Sequence, residues 1–213
     1  MTDAYCHLDM DAESPLADIE RLMLAAGVSD AFLIETWDGR NRRMLAETDK
    51  FSVALCYRQE CRSELLQFTG VRMSTEDIRR DKDFCRQIGE SGKTLVAHAE
   101  DGVGALCREI ARLREIKVYV PHLGWPIREG KADSDWESAL NEFASMPLVT
   151  IGISAIAHFS RQPFPHDDVR DLALRLIPQF PASRIAIGSD YPLFDKDRYA
   201  DYMCLARDWV TSA

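Results

Sequence analysis

Short apolar runs recur along the whole chain, and between them apolar residues return every three or four positions. The runs at 4–8, 31–34, 51–57, 71–73, 94–97, 118–120, 148–154 and 185–187 are apolar nearly throughout, which predicts strands buried on both faces. The stripes between them predict amphipathic helices; examples are Leu16, Ile19, Leu22, Met23 and Ala26, or Val169, Leu172, Ala173 and Leu176. Punctuation agrees. Ser14-Pro15 offers an N-cap and a first-turn proline, Gly27 and Gly92 can close helices, and Ser134 with Glu137 predicts a capping box.

Eight strands alternating with helices are compatible with a closed barrel or with an open doubly wound sheet. The residues at the strand ends favour the barrel. His7 and Asp9, Glu35, Tyr57 and Arg58, Arg72, His98 and Glu100, His122, Ser154 and Asp190 all stand at or just past the C-terminal end of a run. A barrel gathers such positions at one mouth, whereas an open sheet spreads them along an edge. The expectation is one compact (β/α)8 TIM barrel, an α/β fold, formed by residues 1–213 as a single domain.

Composition narrows the function. With 46% apolar and 29% charged residues, 213 residues suffice for one domain with a sizeable core. The net charge of -9 argues against nucleic acid as a partner. No apolar stretch approaches the roughly 20 residues of a membrane span, and the expectation is a cytoplasmic protein with no membrane partner. The six cysteines show no C-x-x-C spacing and are expected to be free thiols packed as small hydrophobes. Gly92-Lys93-Thr94 imitates the end of a P-loop, but Gln87 stands where its first glycine belongs. Gly102-Val103-Gly104 has Cys107 in the third glycine's place, so neither segment predicts a nucleotide site.

In His7-Leu8-Asp9, read as part of the first strand, period two points imidazole and carboxylate to the same face. That spacing can chelate a divalent ion, and His98, His122 and Asp190 are placed to complete the set. Three of the five histidines fall at the same end of predicted strands. Burying several ionisable groups together costs several kcal/mol each unless they are paired or metal-bound.

These residues also resemble a known family. His7-Leu8-Asp9, Val96-Ala97-His98, Pro121-His122-Leu123-Gly124-Trp125-Pro126 and Gly188-Ser189-Asp190-Tyr191-Pro192 are similar to motifs of the amidohydrolase superfamily, in its amidohydrolase-related branch of small barrels. Ser160-Arg161-Gln162-Pro163-Phe164-Pro165 resembles the seventh loop of members that include pyrone-dicarboxylate lactonase. One departure stands out: Asp9 occupies the position of the family's usual second histidine, placing a harder oxygen donor there.

The resemblance implies a metal-dependent hydrolase cleaving a lactone or amide bond in a small, carboxylated metabolite. One divalent ion (Zn, Mn or Fe) would be held by His7, Asp9, His98 and Asp190. The catalytic residues would be Asp190, moving the proton of an activated water, and His122, stabilising the oxyanion. Arg72 and Arg161 would bind a substrate carboxylate, and Tyr191 would face the mouth. Three alternatives stay open: a metal-independent lactonase of the same family, a metal-dependent decarboxylase, and a catalytically degenerate barrel serving as a binding or assembly subunit. The expected partner is a small-molecule substrate, with a homodimer compatible with short loops.

Overall fold

The structure, a computed structural model, describes all residues except Glu100, Arg114, Glu129, Phe194 and Ala213. Eight parallel strands follow one another around a nearly closed barrel. They are β1 (Thr2–Cys6), β2 (Asp30–Ile34), β3 (Ser52–Cys56), β4 (Gly70–Ser74), β5 (Thr94–His98), β6 (Lys117–Val120), β9 (Val149–Ile153) and β10 (Ile185–Ile187). Between β6 and β9 the chain inserts a short antiparallel hairpin, β7 (Ile127–Arg128) with β8 (Lys131–Ala132), which the apolar pattern does not announce. The strand order is sequential, so every barrel neighbour is also the next barrel strand in the chain. All eight predicted runs form barrel strands, as expected of near-continuous apolar segments covered by helices outside and by the barrel lining inside.

The lining is small. Tyr5, Ile34, Ala54, Val96 and Tyr119 form a cluster of their own inside the barrel, while the larger core lies between the strands and the surrounding helices. Several local expectations change. Pro15 opens its helix, Pro15–Ala25, but the Ser14 side chain caps nothing. The expected capping box at Ser134 and Glu137 does not form, because the helix starts one residue later, after Asp135. A capping box forms instead at Ser74 and Asp77, where the end of β4 runs directly into a helix. All six cysteines are free. Among the described residues no helix is long and apolar enough to cross a membrane.

The barrel closes at a seam between β1 and β10. No ladder joins them; the segment after β10 makes the connection, with the Asp190 amide donating to Tyr5 O at 2.9 Å and the His7 amide donating to Tyr191 O at 2.7 Å. Gly188 permits this approach: a Cβ there would stand 2.7 Å from Tyr5 Cβ and 2.9 Å from its backbone nitrogen.

Candidate active site

Five of the residues singled out in the sequence are buried together at the C-terminal mouth: His7, Arg72, His98, His122 and Asp190. His7 follows directly on β1. Its Nδ1 lies 2.7 Å from Ile34 O, and since a carbonyl only accepts, that nitrogen carries the ring hydrogen. In the neutral ring Nε2 is then a lone pair, and it stands 3.6 Å from Asp190 Oδ1. Both atoms are buried without a hydrogen-bond partner. Asp190 holds left-handed backbone, φ 59°, unusual for a side chain with a Cβ and kept in place by the seam.

Arg72 reaches inward from β4. Nη1 donates to Glu35 O at 2.8 Å and Nη2 donates to His98 Nε2 at 3.1 Å. A guanidinium is only a donor, so His98 accepts through Nε2 and carries its hydrogen on Nδ1. Arg72 Cζ lies over the Trp37 ring, 4.0 Å from its centroid. Arg72 Nε is buried and has no partner, and both groups that the side chain does reach are neutral.

His122 lies in a strained turn after β6, where His122, Leu123 and Trp125 all take left-handed backbone, φ 60°, 56° and 63°. Neighbours hold the turn: Ser154 Oγ accepts from the His122 amide at 3.0 Å, and Trp136 Nε1 donates to Leu123 O at 2.7 Å. The His122 ring has Nδ1 2.9 Å from the same Ser154 Oγ. The turn also points Trp125 at both His98 and His122, with ring centroids 4.7 and 5.4 Å away. Trp37 and Trp125 therefore border the site, although neither is among the expected site residues and Trp125 is expected from the sequence to serve packing. Trp37 lies only three residues past β2, a placement the strand-end argument can detect.

The other residues singled out in the sequence are engaged by other partners. β1 ends at Cys6, so His7-Leu8-Asp9 is not in a strand and period two does not align its polar residues. The β1–β2 register slips between Asp3 and Cys6, and past that point the backbone bonds across the seam. Asp9 instead pairs with Lys196 at 2.6 Å. Arg161 is exposed and donates to Gly130 O, tying the loop after β9 to the β7–β8 hairpin. Tyr191 is buried edge-on against Tyr199, with centroids 5.8 Å apart. Glu35 is fully buried and wholly occupied by Arg42, Arg58 and the Cys56 amide. Glu100 lies outside the described residues.

The donor set does not fit a resident divalent ion. Of the four expected ligands only His7 and Asp190 face each other, while Asp9 is held by an ammonium and His98 Nε2 by a guanidinium. Among the described residues no three His, Cys, Asp or Glu side chains are grouped to share a metal.

Burial sets the charge of two rings. Burial first, and then the nearby Arg72 cation, holds the His98 imidazole well below its ordinary 6.5. Burial lowers His122 in the same way, with Asp190 opposing it. Below that ordinary value the unfolded chain takes up protons that the folded one refuses, so stability falls as pH falls. Each ring is expected to cost about 1.4 kcal/mol per pH unit there. Denaturant unfolding at stepped pH from about 7 to about 5 checks this, and a flat profile for the wild-type protein contradicts it.

Comparison with known proteins agrees with this architecture. The amidohydrolase family matches residues 104–209, which hold His122 and Asp190. No curated protein matches the chain. Among solved structures, an amidohydrolase from Burkholderia multivorans with bound zinc is similar at 17% identity and TM-score 0.73, over 99% of this chain and 91% of that one. A probable 2-pyrone-4,6-dicarboxylic acid hydrolase from Acinetobacter baumannii, with citric acid bound, is similar at 14% identity and TM-score 0.75, over 99% and 92%. Amidohydrolase 2 from Bifidobacterium longum subsp. infantis is similar at 15% identity and TM-score 0.71, over 97% and 90%. Just under half of the chain, residues 104–209, matches the amidohydrolase family, and the whole chain is built as the same kind of barrel as these solved structures.

Proposed function

We propose that the protein hydrolyses a lactone in a small carboxylated metabolite, using a water activated between Asp190 and His7. One observation carries this reading: two buried acceptor atoms, His7 Nε2 and Asp190 Oδ1, face each other 3.6 Å apart with no other partner. A water giving one hydrogen to each is held with a lone pair directed away from both, the orientation that attack on a carbonyl carbon requires.

The water oxygen bonds to the lactone carbonyl carbon while one proton passes to Asp190. The carbonyl oxygen takes the negative charge, and His122 donates to it: Ser154 accepts from the His122 amide, gives its own hydrogen to Nδ1, and leaves the ring hydrogen on Nε2. The ring C–O bond then breaks, and Asp190 returns the proton to the leaving oxygen, yielding the open-chain acid.

Arg72 supports the carboxylated substrate. Its full charge is buried against two neutral acceptors, and a charge so placed is costly until an anion meets it. A substrate carboxylate approaching Nε supplies that anion. The similar probable 2-pyrone-4,6-dicarboxylic acid hydrolase from A. baumannii suggests a first substrate to try.

The test uses 2-pyrone-4,6-dicarboxylate, with loss of its ultraviolet absorbance as the readout. Turnover is expected to withstand prolonged chelation, with purified protein carrying far less than one divalent ion per chain. Loss of turnover on chelation and its return with a divalent ion contradict the metal-free reading. Release of carbon dioxide with the ring intact contradicts hydrolysis.

A further inference from the structure

We propose that Asp3, at the opposite end of β1 from His7, is a positioning residue that fixes the Asp190 carboxylate against His7. The inference rests on the reading of Asp190 as the residue that moves the water's proton.

Asp3 is fully buried, although an acidic residue near the start of a barrel strand ordinarily faces water. Its carboxylate is spent mainly on one segment. Oδ1 accepts from the Ser189 amide at 3.0 Å and Oδ2 accepts from the Ser189 hydroxyl at 2.6 Å. Ser189 Oγ in turn accepts from the Tyr191 amide at 3.0 Å. Asp3 thus holds the residue before Asp190 directly and the residue after it through one hydroxyl. The Asp190 amide itself is held by Tyr5 O at 2.9 Å, and Asp3 braces that residue too, Oδ1 accepting from the Tyr5 amide at 3.2 Å.

This bracing meets a need. The left-handed backbone at Asp190 is strained and persists only where its surroundings over-determine it. The seam has no ladder between β1 and β10 to do so. One amide and one hydroxyl of Ser189, meeting one buried carboxylate across 186 residues of sequence, reinforce the two backbone bonds of the seam. Burial pushes the Asp3 carboxyl above its ordinary range, against the pull of the Ser189 and Tyr5 hydrogen bonds. The fold therefore bears a cost for keeping a carboxylate here, where an apolar residue would pack more cheaply but would free the Ser189–Tyr191 segment.

Asp3→Asn tests the assignment. Asparagine keeps the shape and accepts from both amides, but its amide nitrogen meets Ser189 Oγ as a donor, so the hydroxyl hydrogen loses its acceptor. The variant is expected to melt cooperatively, with kcat on 2-pyrone-4,6-dicarboxylate lowered about 10²-fold and KM nearly unchanged. At fixed neutral pH the 15N imidazole signals of His7 are expected to shift, because its carboxylate neighbour moves; this readout needs no substrate. Should the wild-type protein leave the pyrone intact, the lactonase reading fails while the His7 signals still decide the role of Asp3. Unchanged His7 signals, or an unchanged kcat where the pyrone is turned over, overturn the proposal. Should Asp3→Asn fail to fold, Ser189→Ala removes the hydroxyl link alone, and a loss of about tenfold in kcat with the same His7 shift is expected.

Discussion

Asp190→Asn is expected to lower turnover of the pyrone by about 10³- to 10⁴-fold while leaving the fold intact. The substitution separates chemistry from structure well. Asparagine accepts left-handed backbone at least as readily as aspartate, so φ 59° adds no new cost. The segment is held through the Asp190 amide, the Tyr191 carbonyl and Ser189, none of which is altered. What disappears is a group able to take a proton at neutral pH. An amide at Oδ1's position still hydrogen-bonds a water but cannot remove its hydrogen, so binding survives and attack does not. Steady-state kinetics beside a thermal melt checks both halves. A variant that melts normally and retains turnover removes Asp190 from the mechanism.

The barrel was legible because its signal is local and repeated. Each strand buried on both faces has to be apolar nearly throughout, and residues after such strands converge once the sheet closes. Strand-end position alone places His7, Arg72, His98, His122 and Asp190 at one mouth. It is silent wherever the outcome depends on a partner remote in the chain. Nothing near Asp9 announces Lys196, 187 residues away, as the cation that claims it. Nothing near Arg161 announces Gly130 O, because the hairpin presenting that carbonyl is too short to leave a period. The chelating geometry of His7-Leu8-Asp9 required β1 to continue. Whether it continues is decided by the register slip against β2 and by the seam with the Ser189–Tyr191 segment, neither of which is written in residues 1–9. Asp3 escaped for a related reason: it stands at the wrong end of its strand for the strand-end argument and acts through the backbone.

Glu35→Ala is expected to cost about 3–5 kcal/mol of stability, a fall of about 10 °C in melting temperature for a chain of this size. By position alone Glu35 is Asp190's equal: a carboxylate just past a barrel strand, buried at the same mouth. Its oxygens make the difference. Oε1 accepts from Arg58 at 2.9 Å, and Oε2 accepts from Arg42 at 2.9 Å and from the Cys56 amide at 2.7 Å. Removing the side chain leaves the mostly buried Arg42 guanidinium without its principal anion and the Cys56 amide without an acceptor, the circumstance in which a broken buried pair costs most. Glu35→Ala with Arg42→Met, which removes the stranded charge as well, is expected to regain part of the loss. Arg72 is held by the Glu35 carbonyl and not by its carboxylate, so the single variant is expected to keep its KM for the pyrone under conditions where it remains folded. Denaturant unfolding and kinetics on the same samples separate the two effects. A stable Glu35→Ala that loses turnover instead would make Glu35 part of the chemistry. The proposed division at the mouth is thus one of occupancy: a carboxylate saturated by cations braces the rim, and one with an unpartnered oxygen facing an imidazole lone pair handles the water.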